Sequence, residues 1–157
     1  MTKLVRKAVV AAVAVLVVFG LMQLVPYRIS NPRVTAEPKW DSPQTLALAQ
    51  RACFDCHSNQ TNWPWYDKLP VSSWISVLDV VRGRNHLNFS EWGTPRAQGE
   101  GGEGGREGGG REGGRGVARA IENGSMPPNA YLLLHPEARL TDAEKQQLIQ
   151  GLQNSLK

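Results

Sequence analysis

The chain has 157 residues, of which 18 are Lys or Arg and 14 are Asp or Glu, and its formal net charge is +4. Three basic residues, Lys3, Arg6 and Lys7, precede an uncharged apolar segment, so 15 basic residues face 14 acidic ones in the remainder. Because nucleic-acid binding needs clustered Lys and Arg to neutralise phosphates, this balance argues against a nucleic-acid partner.

The N-terminal segment, residues 1–26, has the features of a membrane anchor or an export signal. Its apolar run, Ala8–Val25, would span roughly 27 Å as a helix, which matches the hydrocarbon core of a bilayer. The preceding basic residues predict a single-pass helix with a cytoplasmic N-terminus, and a domain on the periplasmic side of the cytoplasmic membrane. A removed signal, cleaved near residues 34–36, is the alternative, and it also exports the domain.

Residues 27–39 predict an extended linker, because they are proline-rich and show no apolar periodicity. Residues 40–157 form the predicted globular domain. Its first helix has Ser42 or Asp41 as a candidate cap and Pro43 in the first turn, and it leads into the first cysteine.

The next part of the domain predicts a rigid aromatic loop at 62–70 and then a helix over 71–81. A turn is expected at 82–84, followed by a short packed segment at 87–92. Residues 98–116 are mostly glycine with Glu and Arg, so they predict a disordered insert. A phosphate-binding loop is the alternative for this tract, but no Lys-Ser or Lys-Thr pair follows at the required spacing.

The C-terminal part predicts two more helices. One covers 117–122 and ends at the cap pair Asn123-Gly124. The other begins at Thr141, which forms a capping box with Glu144. Its apolar face would comprise Leu148, Ile149 and Leu152.

Cys53, Cys56 and His57 fit the pattern C-x-x-C-H, which is the attachment signature of haem c. Two thiols three residues apart on a helical turn reach the two vinyl groups of one porphyrin, and the adjacent imidazole meets the iron. The His57 ring nitrogen that does not bind iron is expected to donate to a backbone carbonyl.

Three other roles compete for the two cysteines. A thioredoxin-like redox pair needs a strand before the motif, whereas here a helix precedes it. A structural zinc site needs four ligands, and only His86 and His135 remain, far apart in sequence. A disulfide across two intervening residues would be strained and would stabilise little.

Met126 is the predicted sixth iron ligand, because Pro127 and Pro128 restrict the backbone next to it and thioether ligation suits electron transfer. Filling a gap in the core is the alternative role for this methionine. His86 and His135 are the other candidate sixth ligands, and either would give a haem of lower potential.

Several side chains are candidates for contact with the haem periphery. Arg84 or Arg82 would pair with the propionates. Trp63, Trp65 or Tyr66 would pack on the porphyrin or donate to a propionate. The alternative is that the arginines are solvated and the aromatic side chains belong to the core.

A set of short segments recurs in one known family, namely the motif 53–59, then Thr61–Tyr66, Pro70–Trp74 and Gly83–Trp92, and finally Gly124–Pro128, Tyr131 and His135-Pro136. In these segments the sequence resembles the haem-binding domain proteins of bacteria, which are small membrane-anchored relatives of cytochrome c. This resemblance implies one haem c, an α-helical fold and export, but it implies no reaction. The chain departs from the family pattern at the glycine-rich insert, which would allow Met126 to dissociate.

Together these features predict an all-α, cytochrome c-like domain with a single covalent haem, preceded by a transmembrane helix. The predicted function is one-electron transfer with His57 and Met126 on the iron, and redox proteins of the membrane or periplasm as partners. A haem enzyme or a gas or redox sensor with a labile sixth ligand is the main alternative. A subunit with a purely structural haem is another.

Overall fold

The structure is a computed structural model that describes residues 2–22, 24, 29–93 and 111–156. The described residues form seven α-helices and no β-strand, which confirms the all-α prediction; an isolated bridge joins Ala36 and Glu91. In chain order the helices are α1 (Lys3–Met22), α2 (Pro43–Ala52), α3 (Phe54–His57), α4 (Pro70–His86), α5 (Arg111–Glu122), α6 (Asn129–Leu134) and α7 (Asp142–Ser155), with short 3-10 helices at Trp65–Lys68 and Pro136–Ala138.

Helix α1 is long and apolar enough to cross a membrane, and none of its residues is buried within the protein. An apolar helix that avoids the protein core is what a membrane span requires. Its length matches the predicted apolar segment, although Val25 and Pro26 lie outside the described residues.

The chain forms two compact units. The first comprises Met1–Ser30 and Trp63–Asp79, and the second comprises Asn31–Asn62 and Val80–Lys157. The first unit therefore holds α1 and the segment with Trp63, Trp65 and Tyr66. The second unit holds the C-x-x-C-H motif and the C-terminal helices.

The hydrophobic core of the second unit is formed mainly by α2, α5 and α7. Helix α7 packs against both α2 and α5. Complete burial of one leucine or phenylalanine contributes about 1.5–3 kcal/mol, so this cluster supplies much of the stability of the unit. Its buried members are Leu48, Ala49, Phe54, Leu87, Phe89, Ala118, Ile121, Leu148, Ile149, Leu152 and Leu156.

The predicted helix ends at Ser42, Thr141 and Gly124 are confirmed. The Ser42 hydroxyl accepts from the backbone N–H of Thr45 at 3.2 Å and caps α2. Thr141 and Glu144 form the capping box of α7, in which each side chain accepts from the backbone of the other. Gly124 follows α5 with φ +73°, a conformation that glycine adopts without strain.

The predicted turn at 82–84 is wrong, because α4 continues through these residues to His86. The helix also begins earlier than expected, at Pro70. Position 83 is a glycine not because the chain turns there but because another backbone segment packs against it.

The predicted disordered insert at 98–116 is wrong for its last six residues, since α5 begins at Arg111. Helix α5 packs against α7, and Gly114 is buried there: an added Cβ would lie 3.5 Å from the Leu152 carbonyl oxygen and 3.6 Å from the Leu156 Cβ. Packing thus offsets the poor helix propensity of the glycines. Residues 98–110 lie outside the described residues.

The described part of the predicted linker, residues 29–39, contains no helix and is hydrogen-bonded to residues 90–92. The backbone N–H groups of Thr35 and Ala36 donate to the Ser90 carbonyl at 2.9 and 3.2 Å, and Trp92 N–H donates to the Ala36 carbonyl at 3.0 Å. These bonds hold the segment along residues 90–92.

Candidate functional site

The C-x-x-C-H motif lies at a tight helical turn directly after α2. Cys53 ends α2, and its backbone N–H donates to the Ala49 carbonyl at 2.8 Å. The Cys53 carbonyl accepts from the backbone N–H groups of Cys56 at 3.2 Å and His57 at 2.9 Å. The two thiols and the imidazole are therefore fixed within a single turn.

Phe54, the residue between the cysteines that points into the core, anchors this turn. Its ring stacks on Phe89 with the centroids 5.6 Å apart, and Trp40 lies 6.0 Å from Phe54 and 5.3 Å from Phe89. Because Phe54 is buried in this aromatic cluster, the motif cannot rotate without breaking core contacts.

Cys53 and Cys56 are partly buried thiols and do not form a disulfide. Burial and the neighbouring Cys56 raise the pKa of the Cys53 thiol to about 12. A redox-active cysteine of the thioredoxin type needs a lowered pKa, because the thiolate is the nucleophile. The environment of Cys53 therefore does not favour thiol redox chemistry.

The His57 ring is oriented by two backbone carbonyls. Its Nδ1 lies 3.0 Å from the Gly83 carbonyl oxygen and 3.1 Å from that of Leu87. Because a carbonyl oxygen only accepts, Nδ1 carries the proton and the Nε2 lone pair is left for a metal. Burial lowers the pKa of His57, which favours this neutral form. The expected backbone acceptor is confirmed.

Gly83 allows α4 to approach the motif at backbone distance. An added Cβ at this position would lie 2.3 Å from the Cys56 carbonyl oxygen and 2.9 Å from its carbonyl carbon. The close approach brings the Gly83 carbonyl within reach of His57. A glycine inside a helical stretch is the one sequence signal that points to such a contact.

Arg84 binds the loop that follows the motif. Its Nε donates to the Ser58 carbonyl at 2.8 Å, and its terminal nitrogen donates to the Thr61 hydroxyl at 2.9 Å and to the Asn31 side-chain oxygen at 2.8 Å. Burial lowers the pKa of Arg84, and the negative charge of Glu91 opposes that shift. The pairing of Arg84 with a propionate stays a prediction.

Asp55, the other residue between the cysteines, is linked to the C-terminal part of the domain. The Tyr131 hydroxyl donates to Asp55 Oδ2 at 2.7 Å, and the Asn62 backbone N–H donates to Asp55 Oδ1 at 2.9 Å. Burial and the hydrogen bond to Asp55 raise the pKa of Tyr131, so its hydroxyl remains a donor. The sequence did not predict this pair, because nothing in the local pattern joins residues 76 positions apart.

Met126, the predicted sixth ligand, is 41% exposed and lies beside an open cavity of about 470 Å³. Its backbone N–H donates to the Ala120 carbonyl at 2.9 Å. Met126 as an iron ligand stays a prediction. The cavity is lined by apolar side chains and two basic ones, namely Ile121, Leu132, Leu133 and Leu140 with Arg139 and Lys145, beside Gly124, Pro127 and Asn129.

The two other candidate sixth ligands have different surroundings. His86 is exposed at the end of α4. His135 is buried, with its Nδ1 2.9 Å from Glu137 Oε1 and its ring stacked on Tyr131 at 4.0 Å.

The aromatic candidates Trp63, Trp65 and Tyr66 belong to the first unit, so their predicted haem contacts stay predictions. Trp65 is 72% exposed and meets the Tyr66 ring edge to face, with the centroids 5.9 Å apart. Trp63 lines a cavity of about 170 Å³ together with Ile29 and Val77.

The ligand set at the motif is two thiols and one imidazole. Among the described residues, no group of three or more His, Cys, Asp or Glu side chains has the arrangement of a metal site. Two thiols on one turn beside an imidazole with an available lone pair fit a covalently attached haem, in which the porphyrin supplies four of the iron ligands.

Comparison with known proteins is consistent with this fit. A family model described as a haem-binding domain matches residues 17–154, which is most of the chain. No curated protein and no solved structure shows a significant match.

Proposed function

Because the chain belongs to the haem-binding domain family, we propose that it holds one haem c through thioether bonds to Cys53 and Cys56, with His57 as an axial iron ligand. The observation that carries this proposal is the orientation of His57. Two carbonyls fix its Nδ1 proton, so the Nε2 lone pair is available on the same turn as both thiols.

We propose Met126 as the second axial ligand and one-electron transfer as the function. When bound, haem supplies a centre that changes oxidation state by one electron. His57 and Met126 would hold the haem iron, and the Gly83 and Leu87 carbonyls would keep the imidazole hydrogen-bonded, so that little reorganises when the charge changes. In support, Met126 lies beside a largely apolar cavity at a proline-restricted segment.

We propose that the domain is cytochrome c-like and lies on the periplasmic side of the cytoplasmic membrane. The support is the basic cluster before α1 and the membrane-spanning length of that helix. Its partners would be redox proteins of the membrane or periplasm. Anchoring raises the effective concentration of the carrier near such partners.

Absorption spectra of the purified full-length protein in detergent test the axial ligands. Wild type should show haem c bands and, when oxidised, a weak far-red charge-transfer band that reports sulfur ligation. Met126→Ala should abolish the far-red band while the haem remains attached. The matched control Met22→Ala, which removes a methionine from α1, should keep the band. A band that survives in Met126→Ala would refute methionine ligation by this residue.

A haem enzyme or a gas or redox sensor is the second candidate, favoured by the exposure of Met126 and by the open cavity next to it. Such a function requires Met126 to leave the iron readily. Rapid binding of carbon monoxide to the reduced wild-type protein, at the rate seen in Met126→Ala, would support this candidate over electron transfer.

A further inference from the structure

We infer that Tyr131 is a positioning residue. Its hydrogen bond to Asp55 links the segment around Met126, residues 125–128, to the turn of the C-x-x-C-H motif, residues 53–57. This inference rests on the proposed ligation by Met126. It adds a residue that is not itself proposed to bind the haem or the iron but controls how firmly Met126 is held.

The hydrogen bond joins two groups that are each held in place. Asp55 lies between the two cysteines, and its Oδ1 accepts from the Asn62 backbone N–H at 2.9 Å. Its own carbonyl accepts from the Thr61 hydroxyl at 2.8 Å. The carboxylate therefore presents Oδ2 in a fixed direction, and the Tyr131 hydroxyl lies 2.7 Å away. Bonds to a charged acceptor are stronger than neutral ones.

The tyrosine ring is held from its other side. It stacks on the His135 ring at a centroid distance of 4.0 Å and an interplanar angle of 10°. His135 is buried, and its Nδ1 lies 2.9 Å from Glu137 Oε1. The ring therefore has little freedom to turn its hydroxyl away from Asp55.

A short and rigid piece of chain connects Tyr131 with Met126. Pro127 and Pro128 follow the methionine, and α6 begins directly after them with Leu132 N–H bonded to the Pro128 carbonyl at 3.1 Å. On the other side, the Met126 N–H is bonded to the Ala120 carbonyl at 2.9 Å. The segment is thus fixed at both ends, and the Tyr131 to Asp55 hydrogen bond is a side-chain link between it and the motif.

Loss of this hydrogen bond should let Met126 leave the iron more readily, although the methionine itself stays in the chain. Tyr131→Phe keeps the ring stacked on His135 and deletes only the hydroxyl. Because a hydrogen bond to a charged group is stronger than a neutral one, its loss should weaken retention of Met126 about tenfold or more. External ligands would then compete more effectively for the iron.

Imidazole titration of the oxidised full-length holoprotein in detergent measures this competition. Tyr131→Phe should bind imidazole about tenfold more tightly than wild type and show a weaker far-red band, with unchanged content of attached haem. Asp55→Ala should give the same shift, and the double variant should add nothing further. The matched control Ser125→Ala, which removes another hydrogen bond of this segment, should behave as wild type.

The outcomes separate the inference from the proposed function. If Met126→Ala binds imidazole tightly while Tyr131→Phe and Asp55→Ala both match wild type, the positioning role is wrong and methionine ligation stands. If Met126→Ala itself matches wild type, methionine ligation fails and the inference fails with it. A Tyr131→Phe chain that does not fold leaves the decision to Asp55→Ala, which keeps both rings.

Discussion

Gly83→Ala tests the packing at the site directly, because two physical effects would change the stability of the protein in opposite directions. Within a helix, alanine is more favourable than glycine by about 0.5–1 kcal/mol, so position 83 would gain stability if nothing else changed. The structure predicts the opposite, since the added Cβ would lie 2.3 Å from the Cys56 carbonyl oxygen.

The expected loss follows from what would have to move. The separation is about 1.1 Å shorter than the 3.4 Å at which ordinary van der Waals contact begins. The atom that the added Cβ would meet belongs to the backbone of the turn that Phe54 anchors, so it cannot easily move aside. Helix α4 must therefore move away from the turn. Overpacking costs about 1–3 kcal/mol, which exceeds the helix gain. We expect a net loss of about 1–2 kcal/mol, and a melting temperature lower by about 3–8 °C.

The same movement of α4 should also affect His57, the proposed iron ligand. The Gly83 carbonyl oxygen lies 3.0 Å from His57 Nδ1, and a shift on the order of 1 Å would take it beyond hydrogen-bond distance. An imidazole that loses part of this bond is a weaker electron donor. The reduction potential of the proposed haem should therefore rise.

The measurements are thermal unfolding by circular dichroism and a redox titration, both on the full-length protein in detergent. Gly116→Ala in α5 is the matched control, since an added Cβ there meets nothing within 4 Å. That variant should melt at or slightly above the wild-type temperature with an unchanged potential. A Gly83→Ala protein that behaves like this control would refute the close packing of α4 on the motif.

Three further predictions concern the rest of the chain. Gly151→Ala should destabilise the domain by about 1–3 kcal/mol in urea unfolding, because its Cβ would lie 2.0 Å from the Thr45 hydroxyl, and a wild-type midpoint would contradict the packing of α7 on α2. Hydrogen bonds from the Thr141 backbone N–H, from Arg51 and from the Thr141 hydroxyl together lower the pKa of Glu144 to about 2. The stabilisation by this carboxylate should be complete above the unfolded-state pKa near 4.5 and should be lost as the pH falls towards 2. Between melts at pH 6 and pH 3, Glu144→Gln should therefore lose less stability than the wild type. Finally, membranes washed in alkaline carbonate should retain the full-length chain and release a variant that begins after α1, whereas release of both would argue against an anchor.

The local parts of the structure were predictable because they depend on neighbouring residues. Ser42 before Pro43 and Thr141 three residues before Glu144 satisfy helix ends whatever the rest of the chain does. The C-x-x-C-H motif is equally local. The haem attachment proposed for it follows from the spacing of three side chains on one turn.

The parts that sequence reasoning missed depend on contacts between distant segments. The glycine at position 83 suggested a turn, whereas it permits a close approach to the Cys56 backbone, a partner that the local sequence does not identify. The start of α5 was hidden because packing on α7 outweighs low helix propensity. Tyr131 and Asp55 were missed for the same reason, since their bond joins two separate parts of the domain.

The hydrogen bonds of Arg84 are another feature that the sequence alone did not predict. A basic residue near a predicted haem suggests a propionate contact, but three of its hydrogen bonds go to Ser58, Thr61 and Asn31. These bonds brace the loop after the motif. Composition and spacing alone do not distinguish a cation that binds a ligand from one that fixes the chain.

Haem staining after denaturing electrophoresis, combined with the pyridine haemochrome spectrum, tests the central proposal most directly. Membranes from cells that express the full-length chain with a cytochrome c maturation system should give a stained band at the mass of the chain, with the spectrum of a haem bound by two thioethers. Cys53→Ala and Cys56→Ala should each shift the spectrum to that of a single thioether or lose the stain. A fully folded wild-type chain without covalently bound haem would contradict the account.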